Sequence, residues 1–137
     1  MDKELYSELI LDLYKNPVNF GQLRNPDLHA EGGNPLCGDQ VTIDFKLGKD
    51  KKIQEIKFSG QGCAISMASA SLLTSLAKGK TISEVLEFTQ EDVFENLGQI
   101  IETRIKCALV SLKVLKDGAK FFQQNPEKNK LILGIKI

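Results

Sequence analysis

The sequence has no excess of charge of either sign and no long apolar run. Lysine and arginine together number 18, and so do aspartate and glutamate, which gives a formal net charge of zero. A general nucleic-acid binder needs excess positive charge to contact phosphates, so we expect no nucleic-acid partner. No segment approaches the roughly 18 apolar residues of a membrane-spanning helix, and the acidic first residues lack the apolar run of a signal peptide. We therefore expect a cytoplasmic protein with no membrane partner.

Cysteine is scarce, and its number is odd. The three cysteines are Cys37, Cys63 and Cys107, in a chain that shows no secretory signal. Disulfide frameworks occur in secreted proteins and use their cysteines in pairs, so they explain this set poorly. Metal binding or thiol chemistry is the more informative hypothesis.

The sequence does contain enough apolar material for one core. It has 137 residues, of which 42% are hydrophobic, so extended disorder and collagen-like structure are excluded. A chain of this length fits one domain of ordinary size. We expect a single domain that spans residues 1–137.

Local patterns predict a helix, a loop and a β-hairpin in the first sixty residues. Three leucines recur at helical spacing over residues 3–15. Residues 16–39 hold three of the four prolines and several glycines, which predicts a long loop that ends at Cys37. Strict alternation of apolar and polar residues over 41–47, a polar turn and a second run over 53–58 predict two paired strands.

Helical patterns dominate the second half. One helix is expected to begin at or just after Cys63 and to end at Lys78 and Gly79. The spacing of Thr81 and Glu84 matches a capping box that opens a short helix, and residues 89–92 offer a weaker start for another. A last helix carries an apolar stripe from residue 101 to residue 122.

The apolar tail, residues 131–137, is prone to β structure and is consistent with an added strand, a packing arm or an oligomer contact. Strands grouped before helices favour the α+β class. We expect an antiparallel sheet, made of the hairpin and an extra strand, that packs against several α-helices.

Each cysteine lies at the boundary of a predicted element. Cys37 and Asp39 are separated by one glycine, so the thiol and the carboxylate can turn towards the same ion. Cys63 lies at a helix N-terminus, where negative charge is favoured. With Cys107 the set offers three thiolates and one carboxylate, a tetrahedral shell suited to zinc or to iron in an iron-sulfur cluster. The alternative for each cysteine is a small buried apolar residue.

Two other features carry weaker hypotheses. Gly60 and Gly62 follow a strand and precede a helix, as in a dinucleotide-binding loop, but the third glycine of that motif is replaced by Ile65 and no parallel βαβ unit is predicted. His29, the only histidine, could ligate a metal or assist a cysteine nucleophile, although a lone loop histidine is more often solvated.

Four ordered motifs resemble the IscU/SufU (NifU N-terminal) family. They are Asn-Pro-Leu-Cys-Gly-Asp at 34–39, Phe-Ser-Gly-Gln-Gly-Cys-Ala-Ile-Ser at 58–66, Gly-Lys-Thr at 79–81 and Arg-Ile-Lys-Cys-Ala at 104–108. The similarity extends from about residue 6 to residue 119. Lys106 before the third cysteine matches the SufU pattern, whereas the short interval between the second and third cysteines is similar to the IscU branch.

The resemblance implies an α+β iron-sulfur cluster assembly protein that accepts sulfur from a cysteine desulfurase. In the IscU branch such a protein builds a [2Fe-2S] cluster for acceptor apoproteins or a downstream scaffold, and in the SufU branch the same site holds zinc. By the motifs, Cys37 is the expected sulfur acceptor and a ligand, and Asp39, Cys63 and Cys107 are the other ligands.

Two alternatives stay open at the level of sequence. One is a structural zinc-binding domain that mediates protein contacts without sulfur transfer. The other is an independent thiol enzyme that uses Cys37 with His29.

Overall fold

A four-stranded sheet and five helices make up the part of the chain that the structure describes. The structure is a computed structural model, and it describes residues 8–34, 38–98, 100, 105–124 and 130–132. In chain order the elements are α1 (Glu8–Lys15), β1 (Leu28–Asn34), β2 (Asp39–Leu47), β3 (Ile53–Gln61), α2 (Ala64–Ala77), α3 (Ile82–Leu86), α4 (Gln90–Leu97), α5 (Ile105–Gln124) and β4 (Lys130–Ile132).

The sheet has the strand order β3-β2-β1-β4. β2 is antiparallel to both neighbours, and in the predicted hairpin Ile43 lies opposite Phe58 and Phe45 opposite Ile56. The hairpin and the α+β class are therefore confirmed. β4 is parallel to β1, with Leu131 opposite Ala30. An added strand is thus the form that the tail takes at residues 130–132, while residues 133–137 lie outside the described part.

The long loop predicted over residues 16–39 is wrong for residues 28–34, which form β1. Leu28 and Ala30 alternate into the core and are 1% and 0% exposed. A Cβ at Gly33 would lie 2.4 Å from the carbonyl oxygen of Asp39 on β2. Glycine here permits a close approach of two strands. This contact is not visible in the sequence, where the same glycine indicates a loop.

The predicted helices are confirmed where the structure describes them. α1 occupies residues 8–15 of the predicted 3–15, and α5 begins at Ile105, since residues 1–7 and 101–104 lie outside the described part. α2 has Cys63 as its N-cap residue. Thr81 Oγ1 accepts a hydrogen bond from the Glu84 N–H at 3.2 Å, and Glu84 Oε1 accepts one from the Thr81 N–H at 3.0 Å. This capping box was predicted, and so was the weaker helix start at residues 89–92, where the Thr89 N–H donates to Asp92 Oδ2 at 2.8 Å.

Close packing of small residues joins the helices to the sheet and to each other. A Cβ at Gly118 of α5 would lie 2.8 Å from Leu28 Cδ2 and 3.0 Å from Ala30 Cβ, so α5 lies directly against β1. The Ser69 hydroxyl of α2 donates to the carbonyl oxygen of Ala108 of α5 at 2.6 Å. Both helices are thereby fixed against the core. Among the described residues, no helix has the length and apolar character needed to cross a membrane.

Candidate metal centre

The sheet topology brings Asp39 and Cys63 to the same end of the hairpin. Asp39 is the first residue of β2, and Gln40 beside it pairs with Gln61, the last residue of β3. Two residues after Gln61 the chain reaches Cys63 and turns into α2. Antiparallel pairing therefore places two residues that are distant in sequence at one end of the sheet.

A third residue, Cys107 of α5, also lies at this end of the sheet. One ligand atom from each of Asp39, Cys63 and Cys107 lies within 4.8 Å of the other two. In a tetrahedral zinc site, sulfur and oxygen ligands are about 3.5–3.8 Å apart, so the three atoms are within roughly 1 Å of the spacing that one ion requires. Two thiolates and a carboxylate are a donor set that zinc and iron accept.

The three side chains differ in access to solvent. Asp39 and Cys107 are 4% and 3% exposed, whereas Cys63 is half-buried. Buried thiolates and carboxylates without a counter-charge are costly, and a bound cation removes that cost. Of the three candidate ligands, Cys63 is therefore the one that solvent reaches most easily.

Asp39 also caps the helix that carries Cys63. The Cys63 backbone N–H donates to Asp39 Oδ1 at 3.1 Å. The Cys63 side chain makes no capping hydrogen bond of its own, so its sulfur is not committed to the helix end. The N-terminus of α2, which is the positive end of its dipole, therefore lies at the candidate centre.

Gly62 gives the Asp39 carboxylate its place. A Cβ at residue 62 would lie 2.6 Å from Asp39 Oδ1 and 3.1 Å from Ser66 Oγ. Gly60 has a different task, because a Cβ there would lie 2.1 Å from the backbone oxygen of Gln40. The two glycines that resemble a dinucleotide loop thus serve strand pairing and the candidate centre.

Cys107 is held in place by the contact between α2 and α5. It precedes Ala108, whose carbonyl oxygen accepts the Ser69 hydrogen bond, and Ser69 Oγ also lies 3.0 Å from Ser111 Oγ. Ser69 is on the helix that begins after Cys63, so this buried link fixes the two cysteine-bearing helices relative to each other. Lys106, the residue before Cys107, is exposed.

The sequence also matches known proteins. Residues 5–129 match the family model described as the NifU-like N terminal domain. The chain belongs to this family.

Its relatives include scaffold and sulfur-transfer proteins. This family member is 37% identical over 128 residues to the iron-sulfur cluster assembly scaffold protein IscU 1 of Archaeoglobus fulgidus, covering 93% of this chain and 83% of that protein. It is 39% identical over 132 residues to the zinc-dependent sulfurtransferase SufU of Bacillus subtilis, covering 83% and 88%. A SUF-system protein from Fervidobacterium islandicum AW-1, described as a cluster assembly scaffold, has a TM-score of 0.71 and 30% identity, covering 87% of this chain and 99% of that one.

The remaining predicted site residues of this NifU-like domain are Cys37 and His29. Cys37 lies outside the described residues, and in sequence it precedes Asp39 by two positions. His29 is on β1 rather than in a loop, with Nδ1 2.5 Å from Asp44 Oδ1 and Nε2 3.3 Å from Glu31 Oε2. It is not part of the group formed by Asp39, Cys63 and Cys107. Its contacts tie β1 to β2.

Sequence reasoning missed Gly62 and Ser66 as parts of this site. A conformationally free glycine beside a cysteine looks like a turn signal, and a serine in the first turn of a helix looks like a solvated residue. Their roles become visible only when the ends of β2 and β3 lie side by side. Gly62 then adjoins the Asp39 carboxylate, and the Ser66 hydroxyl borders the same space.

Proposed function

We propose that this protein is an iron-sulfur cluster assembly protein that acts as a scaffold, as an acceptor of sulfur from a cysteine desulfurase, or as both. One observation carries the proposal: the carboxylate of Asp39 and the sulfurs of Cys63 and Cys107 converge within 4.8 Å in a member of the NifU-like family. The names of its relatives, a cluster assembly scaffold and a zinc-dependent sulfurtransferase, point to the same chemistry.

In this proposal Asp39, Cys63 and Cys107 hold a metal, with Cys37 as the fourth ligand and as the sulfur acceptor. Zinc or a [2Fe-2S] cluster would occupy the same place, because the mixed thiolate and carboxylate set suits both. A bound cation would keep the thiols deprotonated. Asp39, the one oxygen ligand, is the weaker-bound member of a soft set and makes its position exchangeable.

Sulfur transfer would take place at Cys37. The Cys37 thiolate attacks the outer sulfur of the desulfurase persulfide, the sulfur-sulfur bond breaks, and the desulfurase cysteine leaves as a thiolate. Cys37 then carries the persulfide. The sulfur, or a cluster built from it, passes to acceptor apoproteins or to a downstream scaffold. We place this function in the cytoplasm and in one domain that spans residues 1–137.

Mass spectrometry of the protein after anaerobic incubation with a cysteine desulfurase and cysteine tests the assignment. The expected product carries one added sulfur atom on Cys37, and Cys37→Ser carries none. Added sulfur on Cys63 or Cys107 of the wild type, with Cys37 unmodified, would overturn it.

The same samples distinguish the structural alternative. A purely structural zinc domain retains zinc but neither takes up sulfur nor stimulates the desulfurase. The half-buried Cys63, which opens the centre to solvent, favours the sulfur-transfer function over a closed structural site. An independent thiol enzyme that uses His29 is disfavoured, since both ring nitrogens of His29 face carboxylates.

A further inference from the structure

Ser66 has a buried hydroxyl that forms no hydrogen bond among the described residues. Its residue is 0% exposed, and among the described residues its Oγ is the buried side-chain polar atom that lacks a hydrogen-bond partner. A buried hydroxyl without a partner destabilises the fold, so such an atom in a native protein calls for an explanation.

The neighbouring hydroxyls of α2 show that the helix can satisfy such groups. Ser69 bonds to α5, Ser71 Oγ accepts from the Val18 N–H at 2.8 Å, and Thr74 Oγ1 donates to the Ala70 carbonyl oxygen at 2.9 Å. Ser66 differs from them in its position, which is the first turn of the helix, three residues after Cys63.

The Ser66 hydroxyl lies on the same side of Gly62 as the Asp39 carboxylate. The space that a Cβ of residue 62 would fill is bounded by Asp39 Oδ1 at 2.6 Å and by Ser66 Oγ at 3.1 Å. The hydroxyl and the carboxylate therefore border the same small space beside Gly62. Both residues are buried. In such a water-shielded environment a hydrogen bond to a carboxylate is stronger than it is in water.

We propose that Ser66 is a positioning residue for Asp39 and that its hydroxyl donates to the carboxylate when the carboxylate turns to a bound metal. A carboxylate has about four acceptor sites on its two oxygens. One takes the Cys63 N–H, one would bind the metal, and another would accept from Ser66. Ligating carboxylates in proteins are commonly held by such a second hydrogen bond. This inference rests on the proposed metal site.

If this role is correct, Ser66→Ala lowers the metal affinity without lowering the stability of the metal-free protein. Among the described residues the Ser66 hydroxyl has no hydrogen-bond partner, so Ser66→Ala should leave the melting temperature of the metal-free protein unchanged or raise it. With metal bound, the same change removes the bond that orients Asp39, and zinc affinity should fall about tenfold or more. A serine with a purely structural role would affect both measurements in the same direction.

The experiment measures zinc affinity by competition with a chromophoric chelator and melting of the metal-free full chain. Ser66→Ala is compared in the wild-type and in the Asp39→Ala background, because an effect exerted through Asp39 must vanish when Asp39 is absent. Ser71→Ala is the matched control. It removes a buried, bonded serine of the same helix and should lower the melting temperature without changing zinc affinity.

The outcomes separate the two proposals. Wild-type protein that binds zinc, with Ser66→Ala binding equally well, overturns the role of Ser66 and leaves the metal site intact. A loss of affinity that persists in the Asp39→Ala background, or that comes with a lower melting temperature of the metal-free protein, also overturns it. Wild-type protein that binds neither zinc nor an iron-sulfur cluster overturns both the site and the role of Ser66.

Discussion

Replacing Gly62 by alanine should displace the Asp39 carboxylate while leaving the backbone of the fold in place. The new Cβ would lie 2.6 Å from Asp39 Oδ1 and 3.1 Å from both Asp39 Cγ and Ser66 Oγ. All three atoms belong to side chains, and Gly62 is not among the glycines with positive φ, so alanine adds no backbone strain. The easiest relief of the clash is a rotation of Asp39 away from residue 62.

The magnitude follows from the bond that this rotation breaks. The Cys63 N–H loses its carboxylate acceptor, and a hydrogen bond to a charged group contributes about 1.5–3 kcal/mol. Alanine in place of glycine recovers about 0.4–1 kcal/mol by restricting the unfolded chain. We therefore expect a net loss of roughly 0.5–2.5 kcal/mol in the free energy of unfolding. Zinc affinity should fall about tenfold or more, because the displaced carboxylate is no longer held where it would bind the metal.

Chemical denaturation of the metal-free protein and chelator competition for zinc measure the two effects side by side. Gly60→Ala is the control, because its Cβ would lie 2.1 Å from the backbone oxygen of Gln40 and its φ is +130°. That variant should lose most of its fold. Combined with Asp39→Ala, Gly62→Ala should have little further effect on affinity. Wild-type zinc affinity in Gly62→Ala, or a loss of stability equal to that of Gly60→Ala, would refute the reasoning.

Three further predictions concern a contact between helices, a contact between strands and a helix cap. Ser69→Ala should lower the free energy of unfolding by about 1–3 kcal/mol in a denaturant titration, since it leaves the buried Ala108 carbonyl and Ser111 hydroxyl without this partner; unchanged stability contradicts it. His29→Ala should lower the melting temperature by removing the contact with Asp44, yet keep wild-type zinc affinity; a loss of bound zinc would make His29 a ligand. The hydrogen bond from the Thr81 backbone N–H is the main cause that lowers the pKa of Glu84 from 4.5. Its stabilising effect is thus present above pH 4.5 and lost as the pH falls through the lower folded value, so the difference in melting temperature between wild type and Glu84→Ala should shrink on acidification. A difference that stays constant with pH contradicts this.

The elements with strong local patterns could be predicted from the sequence. The β2–β3 hairpin alternates strictly, and the Thr81 box fixes the start of α3 within one turn. β1 could not be predicted, because Gly33 is required by contact with Asp39 on the next strand and not by its own neighbours. Propensity describes residues close in sequence, whereas strand pairing joins distant ones.

The candidate site divides in the same way. Its cysteines and Asp39 stand out by residue type and by motif, but their intervals alone do not show that they meet. The meeting of Asp39 and Cys63 depends on the register that places Gln40 opposite Gln61. The roles of Gly62 and Ser66 depend on that register as well, and on distances of a few ångströms between side chains that no pattern encodes.

The zinc, iron and sulfide content of anaerobically purified protein tests the central claim most directly. We predict one metal centre per chain in the wild type. We also predict that Cys63→Ser and Cys107→Ser lose it, that Asp39→Ala retains it less firmly, and that His29→Ala keeps it. Wild-type protein without bound metal, or metal content that is unchanged in Cys63→Ser and Cys107→Ser, would contradict the claim that these residues form a metal centre.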